Sequence, residues 1–179
     1  DLSKIYGIEV QQEVAEMAQR SVKLNNLENR FEIINKNIKD LESVFDKNSF
    51  DFIITNPPYK KMDTGKTNEN SKKLISRHEI TATLKDFIKI SYIMLKDKGT
   101  LYMVHKPERL VDIIYQLRKN KIEPKEIRFV HPYEKKEPNL ILIKAVKNGG
   151  QFLKIDKPLY VYNERGEYTE EILKIYNKM

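Results

Sequence analysis

Short apolar runs alternate with amphipathic segments along most of the chain. The runs at 4–10, 31–35 and 49–55 are rich in β-branched and aromatic residues, which indicates strands buried on both faces. Between the first two runs, residues 11–25 have helical periodicity. The face predicted to turn inward carries Val14, Met17, Ala18, Ser21 and Val22.

The second half continues the alternation. The apolar spacing of Leu84, Phe87, Ile88, Ser91 and Leu95 predicts a helix, with Thr81 as its N-cap and Gly99 as its stop. The pattern then predicts a strand, a helix, two strands, an edge strand and a short helix, at 100–105, 107–117, 127–130, 140–146, 158–163 and after Thr169. Strands alternating with helices predict a single α/β domain over residues 1–179 with a doubly wound sheet.

The third apolar run stops at Asn56-Pro57-Pro58-Tyr59. Neither proline can donate a ladder hydrogen bond, so the tetrapeptide is predicted just past the carboxyl end of a strand. Ligands bind at that position in open α/β sheets.

The residue types of this tetrapeptide suit methyl transfer to a planar amine. The exocyclic amine of adenine is a poor nucleophile because its lone pair is delocalised into the ring. Hydrogen bonds to two fixed acceptors, the Asn56 side chain and the Pro57 carbonyl, would favour a more tetrahedral nitrogen, and Pro58 would stiffen the turn. Tyr59 offers a stacking face for a flipped base.

Composition narrows the range of partners. The chain has 179 residues, a formal net charge of +7 and no cysteine, which leaves no disulfide or cysteine-based zinc site. No apolar run approaches the ~20 residues of a membrane span, and no signal peptide is visible. We expect a cytoplasmic protein without a metal, with a monomer favoured and the oligomeric state left open. The polar stretch 60–78 carries a net charge of +4 and is predicted to be a mobile substrate loop.

The first two strands supply candidate cofactor ligands. Glu9 and Val10 end the first strand, where an acid binds ribose hydroxyls in this kind of fold. Glu9 could equally stabilise the start of the following helix. Asn37 follows the next strand, where it would contact the adenine of the cofactor, and Ile38 would pack against the ring; a plain turn asparagine is the alternative.

A glycine-rich cofactor loop is not found in the sequence. None of the six glycines forms a G-x-G pattern between a strand and a helix. The strand that should carry this loop lies centrally in the fold, before Glu9. We therefore expect the chain to be part of a longer protein whose N-terminal strand and glycine-rich loop are not included in this sequence. The alternative is a degenerate protein that no longer binds the cofactor.

Asn-Pro-Pro-Tyr resembles the catalytic motif of Rossmann-like, S-adenosylmethionine-dependent amino-methyltransferases. Three further segments, 77–80, 105–110 and 128–132, are similar to the bacterial family of adenine-N6 methyltransferases that act beside the anticodon of a valine tRNA. The tail, 158–163 and 166–169, is similar too. Members of that family are also labelled predicted O-methyltransferases, a label that conflicts with a motif suited to a planar amine.

The resemblance implies a class I methyltransferase fold, with a mostly parallel sheet and an antiparallel last strand. It implies S-adenosylmethionine as cofactor, with Asn56 adjoining both cofactor and substrate, and tRNA as partner. It also gives candidate substrate-binding roles to Tyr59, Lys60, Arg77, His78, Lys106 and Arg109.

Other interpretations stay open. Motifs of this kind also serve methylation of another RNA or DNA base amine, or of a glutamine side chain in a protein. A binding module that has lost its activity is a third class, although a pure binder has no need for this tetrapeptide. Arg77 and Arg109 would equally serve as structural ion-pair partners, and His78 and His105 as capping or packed histidines.

Overall fold

The computed structural model describes residues 4–59 and 82–178. The elements are, in chain order, β1 (Ile5–Glu9), α1 (Gln12–Leu24), β2 (Phe31–Asn35), a first 3-10 helix (Ile38–Ser43), β3 (Phe50–Thr55), α2 (Leu84–Met94), β4 (Leu95–His105), a second 3-10 helix (Pro107–Arg109), α3 (Leu110–Lys119), β5 (Ile122–His131), β6 (Leu140–Lys147), β7 (Lys154–Ile155), β8 (Leu159–Tyr160) and α4 (Glu170–Ile175).

The strands form two sheets. β1 and β2 pair in parallel as a two-stranded sheet. The second sheet has six strands in the order β3-β4-β6-β5-β7, with β8 also pairing with β5. No hydrogen-bonded strand pair joins the two sheets within the described residues.

The six-stranded sheet combines parallel and antiparallel pairs. β3 pairs with β4 in parallel, and β7 and β8 pair with β5 in parallel. β6, the last long strand, is antiparallel to both β4 and β5 and lies between them. The predicted α/β fold with a mostly parallel sheet and an antiparallel last strand is confirmed.

The main core lies between the six-stranded sheet and helices α2 and α3. Ile88 of α2 and Ile113 and Leu117 of α3 are fully buried, as the helical periodicity predicts. Leu101, Ile127 and Ile143 of the sheet pack in the same cluster. This core holds β3 and β4 in register, with Thr55 opposite Met103 near their carboxyl ends.

The predicted limits of α2 are wrong. The helix begins at Leu84 after a capping box, in which the Thr83 side chain accepts from the Asp86 backbone and the Asp86 side chain accepts from that of Thr83. Thr81 lies outside the described residues. The helix ends at Met94, before Gly99, because Leu95 is already extended and enters β4.

The predicted inward face of α1 is also wrong in part. Val14 and Met17 are 41% and 57% exposed, whereas Ala15 is buried. The helical periodicity is correct, but within the described residues the helix packs mainly on the small β1–β2 sheet. A local period marks an apolar face without stating what covers it.

β5 is longer than predicted. It begins at Ile122 rather than Ile127, and its register with β6 shifts between Pro124 and Glu126. Proline is tolerated at such an irregularity because no ladder hydrogen bond is required of it there. The edge strand predicted at 158–163 is reduced to β8, with β7 as a second short strand beside β5.

Lys147, at the end of β6, is buried at the amino end of β4. Its ammonium donates to the side-chain oxygen of Asn48 at 2.7 Å and to the carbonyls of Tyr92 and Leu95 at 2.6 and 2.8 Å. It also lies 4.4 Å from the centroid of the Tyr92 ring. Burial lowers the pKa of Lys147, while the Asp97 charge opposes this. The lysine ties the end of α2 to the sheet.

Candidate active site

The Asn56–Tyr59 tetrapeptide begins where β3 ends, as predicted. Pro57 is fully buried, whereas Asn56 and Pro58 are exposed and Tyr59 is half-buried. The Asn56 side chain makes no hydrogen bond within the described residues. A buried proline therefore anchors a turn that leaves the Asn56 amide accessible.

Three residues from the end of β4 and the turn that follows it surround Tyr59. The His105 ring packs against the Tyr59 ring at a centroid distance of 5.1 Å, in an edge arrangement. The Lys106 ammonium lies over the same ring, 5.6 Å from its centroid. Arg109 donates from Nη1 to the Tyr59 carbonyl at 3.2 Å. These contacts form because β3 and β4 are parallel neighbours, so their carboxyl ends lie at the same edge.

His105 is fully buried. Its Nδ1 accepts a hydrogen bond from the Lys106 backbone at 2.8 Å, so the proton belongs on Nε2. Nε2 has no hydrogen-bond partner within the described residues. Burial, and secondarily the Arg109 charge, lowers the pKa of His105. A histidine of this kind serves here as packing for Tyr59 rather than as a charged contact to a substrate.

The basic residues beside Tyr59 differ in accessibility. The Arg109 side chain is only 16% exposed and its Nε donates to Asp112 at 2.8 Å. Lys106 is half-buried and donates to the Asn139 carbonyl at 3.2 Å. Lys60, Arg77 and His78, and with them the predicted loop 60–78, lie outside the described residues.

The predicted cofactor residues lie at the ends of β1 and β2. The Glu9 carboxylate accepts from the Gln11 backbone at 2.7 Å through Oε1, which serves the entry into α1. Its Oε2 makes no hydrogen bond within the described part of the chain. Val10 is 40% exposed. One oxygen of Glu9 therefore supports the helix while the other is open for a ligand hydroxyl.

Asn37 and Ile38 open the turn after β2. The Asn37 side chain accepts from the Lys39 backbone at 3.0 Å and caps the first 3-10 helix. Ile38 is half-buried. Asn37 therefore has the role of a turn asparagine, which is the alternative prediction.

The segment after β2 contacts helix α2. The first 3-10 helix, which follows β2, contacts the start of α2 through an ion pair of 3.6 Å between Lys39 and Asp86. This ion pair joins the segment after β2 to the helix that packs on the six-stranded sheet. We find no cluster of three metal-ligating side chains in residues 4–59 and 82–178. No helix in those ranges is long and apolar enough to cross a membrane.

The sequence did not reveal the surroundings of Tyr59. The sequence predicts substrate-binding roles for Lys106 and Arg109, with a structural ion pair as the alternative for Arg109, and a packed or capping role for His105. The contacts connect residues about 50 positions apart, as in the Arg109 bond to Tyr59. The usable signal was topological, since both segments follow strands predicted to be parallel neighbours.

Sequence comparisons match the chain to proteins described as methylases or methyltransferases. A family model described as Eco57I restriction-modification methylase matches residues 3–137. A curated tRNA1(Val) (adenine(37)-N6)-methyltransferase of Porphyromonas gingivalis is 27% identical over 142 residues, 78% of this chain and 55% of that protein. The chain thus spans about half the length of the curated relatives it matches.

Solved structures extend the match. A predicted O-methyltransferase of Agrobacterium tumefaciens superposes with a TM-score of 0.77 at 20% identity, covering 98% of this chain and 77% of that one. An S-adenosylmethionine-dependent methyltransferase of Aquifex aeolicus gives a TM-score of 0.55 at 16% identity, covering 80% and 69%. The predicted resemblance and the Rossmann-like class I fold are confirmed.

Proposed function

The chain belongs to the Eco57I restriction-modification methylase family, and on that premise we propose that the protein is an S-adenosylmethionine-dependent N-methyltransferase. The favoured substrate is the exocyclic N6 amine of an adenine in tRNA, near the anticodon. The observation that carries the proposal is the accessible Asn56 amide in the same turn as Tyr59, whose ring contacts His105 and whose carbonyl is bonded by Arg109.

The described residues fit the cofactor. Glu9 keeps one carboxylate oxygen without a partner in the described chain, which suits a ribose hydroxyl. Val10, Asn37 and Ile38 would line the same site. When bound, the cofactor supplies the electrophilic methyl group.

The chemistry assigned to this chain is orientation of the amine. The Asn56 side-chain oxygen and the Pro57 carbonyl accept one hydrogen bond each from the amine, which favours a tetrahedral nitrogen. Because Pro57 is buried, the acceptors are fixed before the base arrives, and this preorganisation favours the transition state over the ground state. Tyr59 stacks on the extruded base. No strong general base is needed, since the methylated amine is transiently cationic and loses its proton readily.

Support for tRNA comes from two observations. The curated relatives in Porphyromonas gingivalis carry that substrate in their names, and this chain has a net charge of +7, suited to a polyanion. The description of the matching family favours a second candidate, the same amine in DNA. Both candidates use the same orientation chemistry and differ only in how the base is delivered.

The deciding experiment offers the protein, as the cell makes it, labelled S-adenosylmethionine with three acceptors. These are unmodified bulk tRNA, unmethylated duplex DNA and glutamine-containing protein. We expect N6-methyladenosine in the tRNA by nucleoside analysis. Label in DNA or in glutamine alone would refute the tRNA assignment while leaving the motif's role intact.

Two variants make the experiment specific to the site. Asn56→Ala gives the background expected without the amine acceptor. Asn29→Ala, which removes an exposed asparagine away from the site, should behave as wild type. Absence of transfer to all three acceptors by wild-type protein would refute the methyltransferase proposal itself.

A further inference from the structure

Arg109 has its guanidinium turned inward, toward the protein. It ends a 3-10 helix that starts with Pro107, so its backbone position is closely set. Its Nε donates to Asp112 at 2.8 Å and its Nη1 to the Tyr59 carbonyl at 3.2 Å. Only 16% of the Arg109 side chain is exposed, so little of its guanidinium is accessible to a phosphate of a bound substrate.

The Tyr59 carbonyl accepts a hydrogen bond that ties the backbone of the tetrapeptide to the turn after β4. The Tyr59 ring is meanwhile contacted by the His105 ring and covered by the Lys106 ammonium. We call His105, Lys106 and Arg109 the Tyr59 bracket. All three belong to one five-residue segment, at the carboxyl end of β4 and the turn after it.

We propose that Arg109 is a positioning residue, which fixes Tyr59 through its carbonyl so that the ring is preset as a stacking surface for the target base. Lysine would not serve equally, because the planar guanidinium can bond Asp112 and the carbonyl at once from fixed positions. A ring held before binding loses less freedom when the base stacks on it. The inference rests on the proposed function where turnover is measured, and on the structure alone where the ring's mobility is measured.

The mobility test needs no substrate. The chain contains no tryptophan, so Tyr59→Trp introduces one indole at the position in question, which can be excited selectively over the tyrosines. Time-resolved anisotropy should show a slow, protein-like rotation for the introduced indole. Adding Arg109→Ala should introduce fast local rotation. Adding Arg118→Ala, which removes an arginine at the other end of α3, should not.

The kinetic test separates positioning from phosphate binding. In Arg109→Ala the turnover number should fall by ~10- to 100-fold, since a small misplacement of a reacting group is costly. The salt dependence of tRNA binding should stay unchanged, whereas loss of a phosphate contact would reduce the slope by about 1. In a Tyr59→Ala background, Arg109→Ala should have little further effect on turnover, because there is no ring left to position.

Several results would overturn the proposal. Equally slow rotation of the indole in Tyr59→Trp protein with and without Arg109 is one. A reduced salt slope with unchanged turnover is another, and it would make Arg109 a phosphate contact. If Arg109→Ala does not fold, Arg109→Gln keeps one donor toward the carbonyl and should retain slow rotation, while Arg109→Leu of similar bulk should lose it. If wild-type protein shows no methyl transfer, the proposed function fails and the anisotropy result still decides the role of Arg109.

Discussion

The buried polar side chains at the two ends of β4 differ in how many hydrogen bonds they make. At the amino end, Lys147 has three hydrogen-bond acceptors and an aromatic face around its ammonium. At the carboxyl end, His105 is equally buried but its Nε2 has no partner within the described residues. Buried polar groups are nearly always paired, and His105 Nε2 is one of two buried side-chain atoms without a partner in the described residues, the other being Gln116 Oε1.

The difference indicates what each end is built for. The contacts of Lys147 connect the β3 entry, α2 and β6, and they stabilise the fold without facing a site. At the carboxyl end, by contrast, the Asn56 amide of the neighbouring β3 turn is exposed and a His105 nitrogen is unpaired in the described chain. The exposed amide is hydrated at little cost to stability and can reach a substrate, whereas the buried, unpaired His105 nitrogen reduces stability. Variants at the two ends should therefore separate activity from stability.

The largest expected effect is on catalysis, from Asn56→Ala. Losing one preorganised polar contact costs on the order of 100- to 1,000-fold in turnover. Binding of the base should fall only modestly, because the Pro57 carbonyl and the Tyr59 ring remain. Since Asn56 is exposed and unpaired in the described chain, the melting temperature should not change. Wild-type turnover in folded Asn56→Ala protein would refute the assigned chemistry.

The next largest effect is expected from Lys147→Met, which should lower stability and leave turnover unchanged. The substitution keeps most of the volume but leaves the Asn48, Tyr92 and Leu95 oxygens without their donor, at about 1–3 kcal/mol for each that stays buried and unpaired. Chemical denaturation should show the loss in the free energy of unfolding, and methyl transfer per folded molecule should be unchanged. Lys144→Met, on the same strand but less buried, is the matched control.

The sequence predicts the local elements of this molecule better than the polar contacts between them. Helical period alone predicted the buried faces of α2 and α3, and proline chemistry predicted the turn at Asn56. The Lys147 contacts join Lys147 to a residue 99 positions away, and no local pattern encodes such a pairing. The Tyr59 bracket escaped prediction for the same reason. Local periodicity determines elements, whereas polar contacts between elements depend on register and on the side chain's reach.

Glu9→Gln should have an intermediate effect, on the cofactor. The amide oxygen can still accept from the Gln11 backbone, so α1 should begin as before. The second carboxylate oxygen is replaced by a donor that cannot accept from a ribose hydroxyl, which should weaken cofactor binding by about 1–3 kcal/mol. Calorimetry with S-adenosylmethionine measures this, with Glu13→Gln, in the first turn of α1, as control. Equal affinities in the two variants would remove Glu9 from the site.

The smallest expected effect is a pH dependence of stability that comes from His105. Because burial lowers its pKa in the folded protein, the unfolded chain takes up a proton first as the pH falls below the ordinary value of about 6.5. The stability associated with neutral His105 is therefore fully present above that pH and is lost as the pH falls toward the lowered, folded-state pKa.

His105→Asn keeps an acceptor for the Lys106 backbone but cannot titrate. Between pH 7.5 and 5.5, a window above the range of Asp86 and Asp97, whose pKa values are both lowered, its melting temperature should fall less than that of wild type. His131→Asn is the control, and an equal fall in His105→Asn and wild type would show that the unpaired histidine is not what makes this end of β4 sensitive to acid.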